Sequence, residues 1–268
     1  MQEGIYFNLS DEEYHAAHAL STSGIKTLNI SGLKYWQEYL NPKRERTTTA
    51  AMAFGKASHK FNLENDAFFD DYAFAPNKAD YEQVLDTQKD MQEYCDTNGI
   101  NYAPSHNKAK LAEAIKQSGS TATIWFEVLE RFENENEGKI ILNANDAERL
   151  TEARETFLMY EQLKDTFTGG YAEVSIFIKV HDIMFKCRID YMTAHEDIDY
   201  KTFSNSLSKR IEKAVFEAIQ YQMYNVQYFF YSQVMKEVAA RLRKGNFPIH
   251  GNVAPEFIEA LKAPNCCL

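Results

Sequence analysis

Cysteine is scarce: Cys95, Cys187, Cys266 and Cys267 are the four in 268 residues, and no two have CxxC spacing. That excludes a zinc ribbon, and a vicinal pair is a poor disulfide framework, so free thiols in a reducing compartment are expected. Long apolar runs are also missing. No stretch approaches the roughly 20 residues that span a bilayer. The opening MQEGIYFNLSDEEY lacks the basic and apolar regions of a signal peptide, and the expected location is the cytoplasm. The prolines number only six and form no linker, and no low-complexity segment or internal repeat divides the chain. One domain over residues 1–268 is therefore expected, with a helical insertion at 66–137. Positive charge is in deficit, and the formal net charge of −10 argues against a protein that coats nucleic acid indiscriminately.

What is present is a chain rich enough in apolar residues, 44%, to bury a core. Its charge is unevenly spread. Lys201 to Asn246 carries eight basic and three acidic residues, a local +5 that leaves −15 elsewhere and is compatible with a basic groove. Ser10 with Glu13 has the form of a capping box, and LSTSGIKTL is a second helix start. SGLKYWQEYLN reads as a helix stopped by Pro42, and NPKRERTTT as a loop. AAMAFGKASHKFNLE reads as a helix with Met52, Gly55, His59 and Leu63 on one face, Gly55 allowing close approach of a neighbouring strand. Three helical patterns follow (YEQVLDTQKDMQEYC, NKAKLAEAIKQ, TATIWFEVLERF), with ENENEGK a solvated turn and a further helix at 145–164. The period then becomes strand-like. VSIFIKV, IMFKCRIDYMT and IDYKT predict a three-strand antiparallel meander. A single long helix over 207–244 is expected to close the pattern, with Val215, Ala218, Val226, Phe229 and Val234 towards the core.

Residues two apart on a strand share a side, so Asp199 and Lys201 are expected to project together, with Asp190 close by if AHED turns the chain back. Neighbouring carboxylates repel unless a cation lies between them, and a divalent ion with oxygen ligands is the usual solution. Lys201 could orient or deprotonate a water there. An isolated D-x-K reads as well as a pair of solvent-facing hairpin charges. Glu173, at the head of the first strand, is a third carboxylate or a surface residue. His59 is a ligand or an ordinary helix histidine. Gln220, Tyr224, Gln227 and Tyr231 form a polar-aromatic stripe, suited to a phosphate backbone or to the border of a buried face.

Together these residues resemble the PDDEXK nuclease superfamily and, within it, the RecE-like (exonuclease VIII-type) proteins of phage and prophage. FGKASH matches a G-x-x-x-H helix, AEVSIF an E-V-S strand, CRID the motif aspartate with Ile189 in place of the usual proline, DYKT the D-x-K, and VQYFFY a Q-x-x-x-Y. YHAAHALSTSGIKTL is similar to the family's N-terminal segment. The resemblance covers residues 10–65 and 138–244. It implies an α/β (α+β) nuclease core, a central mixed sheet containing the antiparallel meander and flanked by helices. It implies Mg²⁺ or Mn²⁺ held by His59, Glu173, Asp190 and Asp199, with the Tyr200 carbonyl as an extra ligand. Catalysis would fall to Glu173, Asp190, Asp199, Lys201, Gln227 and Tyr231.

The activity implied is digestion of linear double-stranded DNA from a 5′ end, leaving a 3′ overhang for a RecT-like single-strand annealing protein, by a ring-shaped homo-oligomer. Ser21, Ser23 and Lys26, at a helix start, are candidate DNA-binding residues, or Ser21 is a plain N-cap. Relatives of this fold that hold an iron–sulfur cluster are excluded by the cysteine spacing. A restriction-type endonuclease and a catalytically silent DNA-binding or assembly protein are the alternatives. The family continues past the long helix into another strand, which KAPNCCL would only begin, so a truncated chain is expected.

Overall fold

A computed structural model describes residues 1–43, 49–203, 205 and 207–263. Loop residues 44–48 and the C-terminal strand question, with Cys266 and Cys267, lie outside them. The chain divides into two compact units, Met1–Asn65 with Phe157–Leu268, and Asp66–Thr156.

In the first unit β1 (Gly4–Tyr6) leads to α1 (Asp11–Ala16), whose capping box forms as expected: Ser10 accepts from the Glu13 amide and Glu13 reaches back to the Ser10 amide. Ser21 caps α2 (Thr22–Ile30), and Ser31 caps α3 (Gly32–Tyr35), which runs into a π-helical turn, Trp36–Leu40, ending before Pro42. α4 (Ala50–Leu63) starts at a Thr49 cap. Gly55 does not mark a tight approach. Among described residues the nearest atom to a Cβ there would be Thr202 Oγ1, at 3.9 Å.

The second unit is less helical than its sequence pattern predicts. After α5 (Asn65–Asp71), β2 (Tyr72–Phe74) runs to β3 (Val84–Leu85). Then come α6 (Gln88–Asn98), α7 (Lys108–Gln117), β4 (Thr123–Ile124), α8 (Trp125–Glu135), β5 (Ile140–Leu142) and α9 (Ala144–Met159). β2 pairs with β5 and β3 with β4, both in parallel. The helix expected from Tyr81 begins only at Gln88, because the Thr87–Asp90 capping box stops it from extending backwards. Leu85, Met91, Cys95, Leu111, Ile115 and Ile124 give this unit its own core.

Returning to the first unit, β6 (Tyr171–Val180), β7 (Ile183–Met192) and β8 (Asp197–Ile198) form the expected meander. Gly170 is required at its entrance: a Cβ there would lie 2.3 Å from the Met192 carbonyl oxygen. The third strand is shorter than expected, so Asp199, Tyr200 and Lys201 lie just beyond its end. β1 adds antiparallel to β6, and β9 (Ile249–His250) adds parallel to β1, giving a mixed five-stranded sheet in the order β8-β7-β6-β1-β9.

The long helix of the sequence reading is two helices, α10 (Ile211–Tyr221) and α11 (Tyr224–Arg243), followed after β9 by α12 (Pro255–Leu261). Met223 breaks them with a left-handed φ of 50°. The Lys26 amine donates to the Gln222 carbonyl at this break, at 2.6 Å. The break shifts the phase between the two halves. Val234 is buried as expected, but Phe229 and Val215 are exposed, and Gln220 belongs to a different helix from Tyr224, Gln227 and Tyr231.

The sheet's two faces differ. Val174, Ile176, Ile178, Cys187 and Ile189 pack against Val234, Met235, Val238 and Leu242 of α11 and Phe257 and Leu261 of α12. The opposite face carries Glu173, Ser175, Lys186, Arg188 and Asp190, as the two-residue period demands, and is met by side chains of α1 and α4. A buried sheet face lined with charge is costly unless each group is paired, and that cost points to chemistry.

Candidate metal and active site

Glu173 and Asp190 face each other across β6 and β7, bracketed by the pairs Ala172–Tyr191 and Val174–Ile189. Like charges directly opposite on antiparallel strands repel. Glu173 also has a left-handed backbone, φ 52°, which is sparse for a residue with a side chain and costs roughly 1–3 kcal/mol. Packing does not require this acid, since its side chain is 34% exposed.

His59 of α4 completes the cluster. Its Nδ1 lies 3.9 Å from Glu173 Oε1 and 3.8 Å from Asp190 Oδ2. One donor atom from each of the three falls within 4.8 Å of the other two. The spacing is that of ligand atoms arrayed round an ion about 2 Å from each, and the donor set, one imidazole and two carboxylates, suits a hard divalent cation. Asp199 is not in this group. Its Oδ1 accepts from Lys201 Nζ at 2.5 Å and from Gln227 Nε2 at 2.8 Å.

Asp190 links the two halves of the site. Its Oδ2 accepts the Tyr200 amide at 2.8 Å and Lys201 Nζ at 3.3 Å. The carboxylate thus takes the hydrogen bond that a ladder partner would have taken, which is why β8 stops at Ile198. Burial, with Asp199 and Glu173 nearby, pushes the Asp190 carboxyl up to about 6 against the pull of Lys201 and His59. Burial pulls His59 down, but the Glu173 hydrogen bond and the Asp190 charge outweigh it and the imidazole is raised. Lys201 is likewise raised: its burial is overcome by Asp190 and Asp199. The cluster is short of positive charge, and protons partly make up the deficit.

Arg188, two residues before Asp190 on the same face, is a site residue that the sequence reading missed. Its guanidinium donates to Ser175 Oγ, Asp11 Oδ1 and the Leu9 and Ser10 carbonyls, and its Nε lies 3.8 Å from Glu173 Oε2. Tyr231 O–H donates to the Arg188 carbonyl at 2.8 Å, tying α11 to the strand. Of the DNA-binding candidates, Ser21 accepts from the Gly24 amide and acts as an N-cap, Lys26 is tied to Gln222, and Ser23 is exposed.

The irregular segment after β8 has a second anchor. The Tyr200 hydroxyl lies 3.1 Å from Ser58 Oγ and accepts from Asn62 Nδ2 at 3.2 Å, with the ring edge-on to His59. Ser58 and Asn62 are buried, so Tyr200→Phe should lower stability by about 1 kcal/mol, read as a lower urea midpoint at unchanged slope. An unchanged midpoint would show that the hydroxyl does not hold the segment.

A family model described as a PDDEXK-like domain of unknown function (DUF3799) matches residues 21–247. No curated protein and no solved structure matches the chain.

Proposed function

From the premise that the chain belongs to this PDDEXK-like family, a nuclease superfamily whose members generally use divalent metals, we propose that it is a metal-dependent exonuclease of linear double-stranded DNA. In this reading it degrades from a 5′ end and leaves a 3′ overhang. The observation that carries the metal-dependent part is the convergence of His59, Glu173 and Asp190 beside the Lys201 amine. Polarity and product rest on the resemblance of the motifs to RecE-like proteins. So do a single-strand annealing partner and a ring-shaped homo-oligomer.

His59, Glu173 and Asp190 would hold the ion, Mg²⁺ or Mn²⁺, with Asp199 and the Tyr200 carbonyl beside it. Such an ion supplies charge neutralisation at a phosphodiester and a more acidic water. The protein's own groups do the rest. Lys201 is an ammonium at neutral pH, since its two carboxylates favour the charged form, so it donates hydrogen bonds and holds a water or phosphate oxygen in place. Gln227 holds Asp199, and through it the Lys201 amine, in position. Arg188, on the same face of the sheet, restrains Glu173 from one side.

The test is a gel assay of linear and covalently closed circular duplex, with Mg²⁺ or with EDTA, and with or without a 5′-phosphate. We expect progressive shortening of the linear form alone, abolished by EDTA. Nicking or linearising of circles would favour the endonuclease reading. No cleavage with either Mg²⁺ or Mn²⁺ would leave a silent binding protein.

A further inference from the structure

Resting on the nuclease reading above, we propose that an open cleft beside Lys201 seats one unpaired nucleotide of the cleaved strand, its base against the ring of Tyr224. The cleft has a volume of about 580 Å³, the size of a small-molecule site, and is lined by described residues that follow Lys201 and by residues of α10. Thr202, Phe203, Asn205, Tyr221, Gln222 and Tyr224 are among the residues that line it.

Three observations assign the occupant. The first is position: the lining begins at the residue after Lys201, and Tyr224 belongs both to the cleft wall and to the surroundings of the proposed active site. Lys201 Nζ lies over the Tyr224 ring at 6.0 Å and Lys26 Nζ at 5.6 Å, so two amines stand at the end nearest the acid cluster, Lys201 shared with Asp190 and Asp199 and Lys26 bonded to the neutral Gln222 carbonyl. A phosphate held by Lys201 would place its own or the adjacent nucleoside in the cleft. The second is charge along the wall. Lys209 of the lining is ion-paired with Glu217, so its charge is already matched and does not call for a second phosphate, which suits a neutral base and sugar.

The third is the chemistry of the walls. Phe203 and Tyr221 are 42% and 80% exposed, aromatic rings of the cleft lining held in water. Aromatic faces with nearby amide and hydroxyl groups are the usual seat of a single-stranded base, and stacking of this kind contributes about 1–3 kcal/mol per base. A base inside a duplex has both faces covered by its neighbours and cannot use such a wall. The cleft therefore selects an unpaired nucleotide.

The experiment uses the full chain with linear duplexes carrying 5-iodouracil at the terminal nucleotide or, as a control, well inside the duplex, with Ca²⁺ replacing Mg²⁺. Irradiation should crosslink the terminal probe to Tyr224, Phe203 or Tyr221, mapped by mass spectrometry, and should not crosslink the internal one. Ala218→Trp, which fills the cleft, should abolish the crosslink. With Mg²⁺, Tyr224→Leu and Tyr221→Ala should each raise KM for linear duplex by about tenfold, and Tyr221→Ala should keep kcat within twofold. Tyr221 is so exposed that its loss does not endanger folding. Crosslinks that map elsewhere, or an unchanged KM in both variants, would overturn the proposal while leaving a cleaving enzyme intact. A wild-type chain that neither binds nor cleaves DNA would remove the nuclease reading itself. If Ala218→Trp instead breaks an oligomer in sedimentation and the crosslinks lie elsewhere, the cleft is a contact between copies and the proposal fails.

Discussion

Lys201→Ala is expected to slow degradation of linear duplex by about 10²–10⁴-fold while changing DNA affinity by less than about threefold, the range seen when one positioned donor or proton-transfer group is lost. The amine lies 2.5 Å from Asp199 and 3.3 Å from Asp190, so it is aimed by two carboxylates and cannot be replaced by a freely moving surface lysine. Removing it also leaves two neighbouring acids without their shared cation. The variant should therefore bind its activating ion no more weakly than the wild type, and metal titrations would separate lost positioning from a lost site. Lys201→Arg should rescue little, because a planar fork cannot reproduce a compact ammonium between two single oxygens. Wild-type turnover in Lys201→Ala, measured with saturating Mg²⁺, would remove this residue from the mechanism.

Much of this site was legible because strands β6 and β7 advertise themselves. Their alternation places Val174, Ile176, Cys187 and Ile189 on one face and leaves Glu173 and Asp190 on the other, but that the two acids stand opposite each other follows only from the register. The D-x-K was also readable, though for a partly mistaken reason: Asp199 and Lys201 meet by a direct ion pair beyond the end of β8 and not as strand neighbours. What escaped was short or non-local. β1 and β9 have three and two residues, too few for any periodicity, yet they complete the sheet. The break at Met223 has no glycine or proline to announce it. It depends on a left-handed methionine and on Lys26, which bonds Gln222 from 196 positions earlier in the chain. Ser58 and Asn62 acquire meaning only when Tyr200 arrives between them. The left-handed turn at Glu173 cannot be read from residue type, because glutamate ordinarily avoids it.

Asp190→Asn should have two opposed effects, and their opposition is informative. Cleavage should fall by at least about 10²-fold, since an amide is a poor ligand for a hard cation and a needed negative charge is gone. Stability in EDTA should rise. The carboxyl is pushed up to about 6 in the fold, from 3.8 when unperturbed, mainly by burial. A raised acid means that the folded state holds its proton more tightly than the unfolded chain. Its contribution is therefore most favourable below about pH 4 and is lost as pH rises from about 4 to 6. At pH 7 the wild type bears that loss in full, and asparagine does not. Two pKa units, with the pull of Lys201 and His59 already counted, correspond to about 3 kcal/mol as an upper bound, and imperfect accommodation of the amide leaves a net gain on the order of 1 kcal/mol. For a chain of this size that is a rise in Tm of about 2–4 °C at pH 7. The difference should shrink towards zero near pH 4, where the aspartate is neutral too. Adding Mg²⁺ should raise the Tm of the wild type and leave that of the variant unmoved, because bound metal stabilises only a fold that can hold it. A variant destabilised in EDTA at pH 7 would mean that Asp190 is a structural acid satisfied by Lys201 and the Tyr200 amide. The three-residue cluster would then owe its shape to packing and not to a missing cation.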